Sequence, residues 1–198
     1  MKIAVLGGSF NPIHKGHLML AEGFAEFISA DKIMLIPTFL PPHKSAEGIV
    51  SPHHRINMCR LSLPDERFSV NDIEIKRGKI SYTVDTVKEI LVWYPNADIY
   101  FLCGSDMFLT LDSWYHWAEL KQLATFCTTV RGDEEDKVMK KKENLMKNGA
   151  KVVLHDFKIP LFSSTKIRDK IKNGESVDTM LPPKVMQYIK QNGLYGAE

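Results

Sequence analysis

Two histidines three residues apart, His14 and His17, close a segment that opens with Gly7 and Gly8 and reads Gly-Gly-Ser-Phe-Asn-Pro-Ile-His-Lys-Gly-His. The segment follows an apolar, β-prone run at 2–6, and a helix-like pattern begins at His17. Strand, glycine-rich turn, helix is the order that aims backbone N–H groups and a helix dipole at phosphate. Two imidazoles at the phosphate end of that helix point to chemistry on a nucleotide phosphate rather than to binding alone. The ending is not the Lys-Ser/Thr of a P-loop, and the glycines do not form a dinucleotide fingerprint. A metal pair is the competing reading. Ligand pairs on one helix face are more often four apart and no third ligand of a familiar pattern follows, so no protein-held metal is expected.

A second cluster lies near the other end of the chain: Phe162-Ser163-Ser164-Thr165-Lys166-Ile167-Arg168. It follows a strand-like run and opens a helix-like one. Hydroxyls and N–H groups at a helix start favour an anion, and Arg168 one turn in can reach the same anion. By itself the cluster reads rather as a capped surface helix with an ordinary arginine, since Ser and Thr are common at helix starts.

Alternating strand-like and helix-like segments must position both clusters. Strands are expected at 2–6, 32–36, 68–75, 98–103, 125–130 and 151–157. Helices are expected at 17–29, 51–63, 81–93, 111–123, 132–148, 163–172 and 182–191. Ser51 with Pro52 is a cap followed by proline at the first helical position. Ser81 or Thr83 is a candidate cap for the helix over 81–93. The segment 132–148 is acidic first and basic last, which suits a solvated helix. This β/α alternation predicts an open, Rossmann-like, mostly parallel sheet with helices on both faces, a three-layer α/β/α fold. Its ligands would bind beyond the carboxyl ends of the strands, where both clusters fall.

At 198 residues the chain fits one domain spanning 1–198, with a C-terminal helical part at about 163–198 completing the phosphate site. Apolar residues make up 44% and charged residues 25%, an ordinary soluble composition. The net charge of +2 gives no reason to expect a nucleic-acid or membrane partner, so a positive site must be local. Cys59, Cys103 and Cys127 are odd in number, match no zinc spacing and sit in apolar runs. Buried free thiols in a reducing cytoplasm are the expectation, and Met1 leads into the first strand with no signal-like stretch before it.

Taken together, His-x-Gly-His near the start and Ser-Ser-Thr-x-Ile-Arg near the end resemble the two signatures of the nucleotidyltransferase superfamily. The chain is most similar there to bacterial nicotinate-mononucleotide adenylyltransferases, over nearly its whole length. Supporting stretches are Pro42-His43-Lys44, Ser81-Tyr82-Thr83-Val84-Asp85-Thr86, Gly104-Ser105-Asp106, Trp114-Tyr115-His116-Trp117 and Arg131. Ser9 and Asn11 stand where the family commonly has Thr and Asp, Phe162 stands for an Ile, and the proline often found after Arg131 is absent.

The resemblance implies transfer of AMP from ATP to nicotinate mononucleotide, yielding deamido-NAD and pyrophosphate in NAD biosynthesis. It places His14, His17 and Arg168 at the reacting phosphates. Ser164 and Thr165 would join Arg168 on the outer phosphates, while Gly7, Gly8, Ser9, Phe10, Phe162, Ser163 and Ile167 would frame ATP. The acceptor would meet Lys44, Tyr82, Thr83, Asp106, Trp114, Tyr115 and Arg131. Within that set the Thr83 and Tyr115 backbone would take the nicotinate carboxylate and Trp114 the pyridine ring; a core role for Trp114 is the competing reading. Mg²⁺ would arrive with ATP, held by substrate oxygens and water. ATP and nicotinate mononucleotide are then the partners, with no nucleic acid and no membrane; a homo-oligomer is compatible with the chain.

Pantetheine-phosphate adenylyltransferases share the His-x-Gly-His loop but are typically shorter and lack the Ser-Tyr-Thr and Trp-Tyr stretches. A nicotinamide-preferring adenylyltransferase is a subtler rival. A nucleotide-binding sensor without chemistry is disfavoured by intact His14, His17 and Arg168. An aminoacyl-tRNA synthetase core would need a tRNA-binding domain for which the chain has no room.

Overall fold

A computed structural model describes residues 1–42, 48–130, 134–157, 159–160 and 162–197. Six strands form one all-parallel sheet: β1 (Lys2–Gly8), β2 (Lys32–Pro37), β3 (Phe68–Val70), β4 (Asp98–Leu102), β5 (Ala124–Thr128) and β6 (Lys151–Leu154). Their order is β3-β2-β1-β4-β5-β6. The winding runs outward from β1 in one direction and from β4 in the other. The carboxyl ends of these two central strands are therefore the switch point, where a crevice opens. Val5 pairs with both Met34 and Phe101, which fixes the register on both sides of the centre.

Alternation along the strands sends side chains to two separate cores. Ala4, Leu6, Ile33, Leu35 and Leu102 face one layer. There they meet Leu20 and Phe24 of α1 (Lys15–Phe27), Met58 and Cys59 of α2 (Pro52–Leu61), Ile167 and Ile171 of a later helix (Ser164–Lys172), and Val185 and Ile189 of the last one (Pro183–Gln191). Ile3, Val5, Met34, Ile36 and Phe101 face the opposite layer. α3 (Ile73–Arg77) and α4 (Thr83–Trp93) lie on that side, with Ile73, Val84, Val87 and Ile90 buried. The short α5 (Ser105–Phe108), α6 (Trp117–Leu123) and the charged α7 (Glu135–Lys147) complete it through Phe108, Leu120, Val138 and Leu145. The last two helices are α8 (Ser164–Lys172) and α9 (Pro183–Gln191). Helices thus cover both faces, as the β/α alternation predicts. The three cysteines are buried free thiols. Burial pushes the Cys127 thiol up to about 12, so it stays protonated and inert.

Three local expectations change. The strand expected over 68–75 ends at Val70, the last residue paired to β2. Asn71 Oδ1 then accepts the Ile73 N–H at 3.0 Å and turns the chain into α3. The spacing of three from Val70 to Ile73 is helical rather than alternating. Second, neither Ser81 nor Thr83 caps α4: Tyr82 occupies the cap position without a side-chain bond, and Ser81 Oγ instead accepts the Phe39 N–H at 3.1 Å. Third, the helix over 111–123 breaks. A 3-10 turn at Leu111–Ser113 gives way to an extended Trp114 and a left-handed His116 (φ 52°) before α6 begins.

α2 shows the local logic most directly. Ser51 Oγ accepts the His54 N–H and Pro52 occupies the first turn, as its sequence predicts. Its buried stripe is Arg55, Met58 and Cys59, so a cation replaces an apolar residue at one stripe position. Arg55 is 1% exposed. It donates to the carbonyls of Thr38 (2.7 Å), Ser9 (2.8 Å) and Val50 (3.3 Å), none of which lies within a strand ladder. Burial pulls its guanidinium below the ordinary arginine range.

Two stability outcomes follow from α2. Ser51→Ala should cost about 1 kcal/mol in urea unfolding, the usual value of an N-cap. Arg55→Met keeps the stem's apolar contacts but leaves three partly buried carbonyls without their donor. It should cost about 3 kcal/mol by the same measurement. A Met variant as stable as the parent would mean that water replaces the guanidinium.

Candidate active site

The strand β1 ends in Gly7-Gly8, and the chain leaves the sheet at the switch point. A Cβ on Gly8 would stand 3.0 Å from the Phe10 ring, so a larger residue would require that ring to shift. Phe10 itself has φ 44° and is 1% exposed. The Asn11-Pro12 bond that follows is cis. α1 then begins at once. His14 is its N-cap and 5% exposed, and its backbone N–H donates to His17 Nδ1 at 3.2 Å. The two imidazoles stack at 3.6 Å with 18° between planes, and the Phe10 edge supports His17 at 5.2 Å.

This arrangement fixes a tautomer. Nδ1 of a neutral His17 accepts, so its proton sits on Nε2, the nitrogen suited to donating to a phosphate oxygen. Both rings stand at the positive end of a 13-residue helix that carries no acidic residue in its first turn.

α8 delivers the second cluster to the same place, although 144 residues separate the two in sequence. Ser164 Oγ donates to the Pro12 carbonyl at 3.0 Å and Arg168 to the Asn11 carbonyl at 2.9 Å. Tyr195 OH donates to Asn11 Oδ1 at 2.8 Å. Phe162 meets His14 edge to face at 6.2 Å. Ser163 is spent as the α8 cap, accepting the Lys166 N–H at 3.1 Å. Of the expected ATP ligands, Ser163 and Ser164 therefore bring N–H groups more than hydroxyls. The Thr165 hydroxyl, 3.4 Å from Arg168, remains on the exposed side of the turn. Ile167 is fully buried and anchors the helix from below.

Of the expected acceptor residues, Trp114 packs beside β4 and Tyr115 meets Tyr82. A Cβ on Gly7 would touch the Phe101 ring at 3.5 Å, and Trp114 stands edge-on to that ring at 5.7 Å. Trp114 Nε1 donates to Thr110 Oγ1 at 3.2 Å, which fixes the indole plane. The break after Trp114 turns Tyr115 outward, where it is 51% exposed and stacks on Tyr82 at 4.2 Å. Thr83 opens α4 just beyond Tyr82, with no side chain capping that end. Asp106 lies in the first turn of α5, exposed, beyond the end of β4. Lys44 and Arg131 fall outside the described residues.

Sequence reasoning missed three residues that build the site. Asn11 is 3% exposed; its amide donates to the Gly48 carbonyl at 2.9 Å and its Oδ1 accepts the Val50 N–H at 3.2 Å. Arg55 holds the Ser9 carbonyl from below. Tyr195 reaches Asn11 from the C-terminal segment, and burial pushes its phenol well above the ordinary range, so it is a permanent donor. A cation on an otherwise apolar helical stripe was the available signal for Arg55. Nothing local marks Tyr195.

Comparison with known proteins identifies the family. A cytidylyltransferase-like family model matches residues 5–170. A "probable nicotinate-nucleotide adenylyltransferase" of Hydrogenobaculum sp. is 37% identical over 196 residues, covering 98% of each chain. A protein of the same name from Borrelia turicatae is 38% identical, again over 98% of each chain. The fold matches that of Plasmodium falciparum nicotinic acid mononucleotide adenylyltransferase complexed with NaAD, with a TM-score of 0.82 at 23% identity, over 100% of this chain and 98% of that one. A cytidylyltransferase-like match across most of the chain, and full-length relatives well above 30% identity, place the chain in the nicotinate-nucleotide adenylyltransferase family.

Proposed function

We propose that this chain transfers AMP from ATP to nicotinate mononucleotide, releasing pyrophosphate and forming deamido-NAD. The observation that carries this reading is the meeting of two helix N-termini, α1 with His14 and His17 and α8 with Thr165 and Arg168, across the Asn11–Pro12 carbonyls. Two such ends side by side form a cradle for a polyphosphate. The aromatic group around Trp114 and Tyr115 offers an aryl ring a place on the opposite wall.

In the reaction, a phosphate oxygen of the acceptor attacks the α-phosphorus of ATP. The new O–P bond forms as the bond to the bridging oxygen breaks, and the electron pair leaves on pyrophosphate. The attacking phosphate has a second pKa of about 6 and is already largely dianionic at neutral pH. No general base and no covalent nucleophile are needed. The barrier is the approach of two polyanions and the charge that builds on the leaving group, so orientation and prearranged positive charge do most of the work. His17, with Nε2 as donor, is assigned to the α-phosphate, His14 to the phosphates beside it, and Arg168 with Thr165 to the outer ones. Phe162 and the Gly7–Gly8 turn flank the adenosine.

Mg²⁺ is assigned to the substrate. The donors around the cradle are imidazole, hydroxyl, guanidinium and N–H groups, which suit phosphate oxygens better than a hard cation. The ion when bound would neutralise charge on the polyphosphate. On the acceptor side, the N-terminus of α4 at Thr83 is assigned to the nicotinate carboxylate and Trp114 to its ring. Three buried thiols support a reducing, cytoplasmic setting.

The assay is direct. With Mg-ATP, pyrophosphate should appear with nicotinate mononucleotide and far less with nicotinamide mononucleotide or phosphopantetheine. Release with phosphopantetheine alone, or with none of the three, would overturn the reading. His17→Ala should lower kcat by about 100- to 1,000-fold, the usual scale for one charge-stabilising donor, with little change in ATP affinity. Trp114→Ala should chiefly raise KM for the acceptor, by about tenfold for a lost ring stack. A loss confined to the melting temperature would return Trp114 to the core.

A further inference from the structure

Two side chains of opposite charge are buried near the carboxyl end of β2, and the mechanism above uses neither. Arg55 is 1% exposed and Glu74 is 6% exposed. Glu74 is the one carboxylate buried to that degree among the described residues. Burial pushes its carboxyl upward, while the Thr86 and Ser81 hydroxyls and the charges of Arg77 and Arg55 favour the ionised form. Glu74 in turn favours the charged form of Arg55. Such a group is retained at a desolvation cost, and its second oxygen, Oε2, is buried with no hydrogen-bond partner among the described residues.

The partners of Glu74 show what it holds. Thr86 Oγ1 donates to Glu74 Oε1 at 2.7 Å. Arg77 donates to the same hydroxyl through both terminal nitrogens, at 3.3 and 3.4 Å, and also pairs with Glu89. The hydrogen bonds therefore run in one line, Arg77 to Thr86 to Glu74, which locks α3 to the first turns of α4. Ser81, 7% exposed, takes the Phe39 N–H on its hydroxyl and gives its own N–H to the Leu40 carbonyl at 2.9 Å. The neighbouring residue Thr38 is held by Arg55 through its carbonyl. Arg55 thus holds Thr38 and Ser81 holds the next residue, Phe39. Arg55 reaches on to the glycine turn at Ser9, and Glu74 to the segment that begins α4.

We propose that Glu74 is a positioning residue for the acceptor: it anchors Thr86 of α4 and so fixes the Tyr82–Thr83 backbone that receives the acceptor's anionic ring substituent. The proposal rests on the acceptor assignment above. α4 has no side-chain cap at Tyr82, and the Thr86 hydroxyl held by Glu74 lies 3.4 Å from the Tyr82 carbonyl. The direction of the first N–H groups of α4 depends on the buried lock behind them. The Tyr82 ring, stacked on Tyr115, is carried by the same few residues.

The test is steady-state kinetics of the full chain with Mg-ATP and nicotinate mononucleotide. Turnover by the parent protein checks the acceptor assignment first; none would remove that assignment and leave Glu74 without a substrate to position. Given turnover, Glu74→Gln should raise acceptor KM by about tenfold, the worth of one charged hydrogen bond, while KM for ATP stays within about twofold. Thr86→Val should reproduce that split, and Thr86→Ser, which keeps the hydroxyl, should restore the parent values. The Thr86 pair keeps the test open if Glu74→Gln folds poorly. Equal changes in both KM values, or a lower melting temperature with both KM values unchanged, would make Glu74 a purely structural residue and overturn the proposal.

Discussion

The chain must leave the sheet at the switch point, and the carbonyls it exposes there have no ladder to bond to. Ser9, Asn11 and Pro12 are the residues concerned. A buried backbone acceptor without a donor is costly, so the surrounding elements are obliged to supply one. Arg55 comes from α2, Ser164 and Arg168 from α8, and Tyr195 from the last turn reaches the Asn11 side chain. Satisfying the turn and assembling the site are thus one event. The same bonds that hold the first loop in shape bring the α8 N-terminus beside that of α1.

That dependence explains why the C-terminal helices pack where they do. Ile167, Ile171, Val185 and Ile189 enter the core already built by α1 and α2, so α8 is seated by apolar burial. Its polar first turn is then free to serve the loop and the crevice. Division of labour along one short helix, apolar stripe inward and hydroxyl turn outward, gives precision that a loop could not. On the opposite wall, the broken helix at Trp114–His116 has a comparable effect. One side chain turns in to Phe101 and the next turns out to Tyr82, which a continuous helix would not allow at successive positions.

The charge economy of the site is local. A net charge of +2 over the chain would not draw a polyphosphate, yet two helix N-termini, two imidazoles and one guanidinium converge at one crevice. Imidazole stacking and the capping box around His14 and His17 set the direction of the donor before any ligand arrives. Prearranged donors of that kind cost no reorganisation during the reaction.

Much of this was legible in order along the chain. Glycines at a strand end, histidines at a helix start and the Ser-Ser-Thr-x-Ile-Arg turn are local patterns, and local sterics and hydrogen bonding decide them. Hence the sheet, the helices on both faces and the two phosphate-facing clusters could be read from composition and spacing. The strand over 68–75 and the cap at Ser81 could not, because each was decided by a remote partner: β2 stops pairing at Val70, and Phe39 takes the Ser81 hydroxyl. The roles of Asn11, Arg55, Glu74 and Tyr195 belong to the same class. A polar side chain declares its purpose only when the chain is folded, since what it satisfies lies far away in sequence. The sequence by itself determined which groups could meet a phosphate; tertiary structure decided that the two groups lie side by side, by leaving the loop between them bonds that only distant residues could complete.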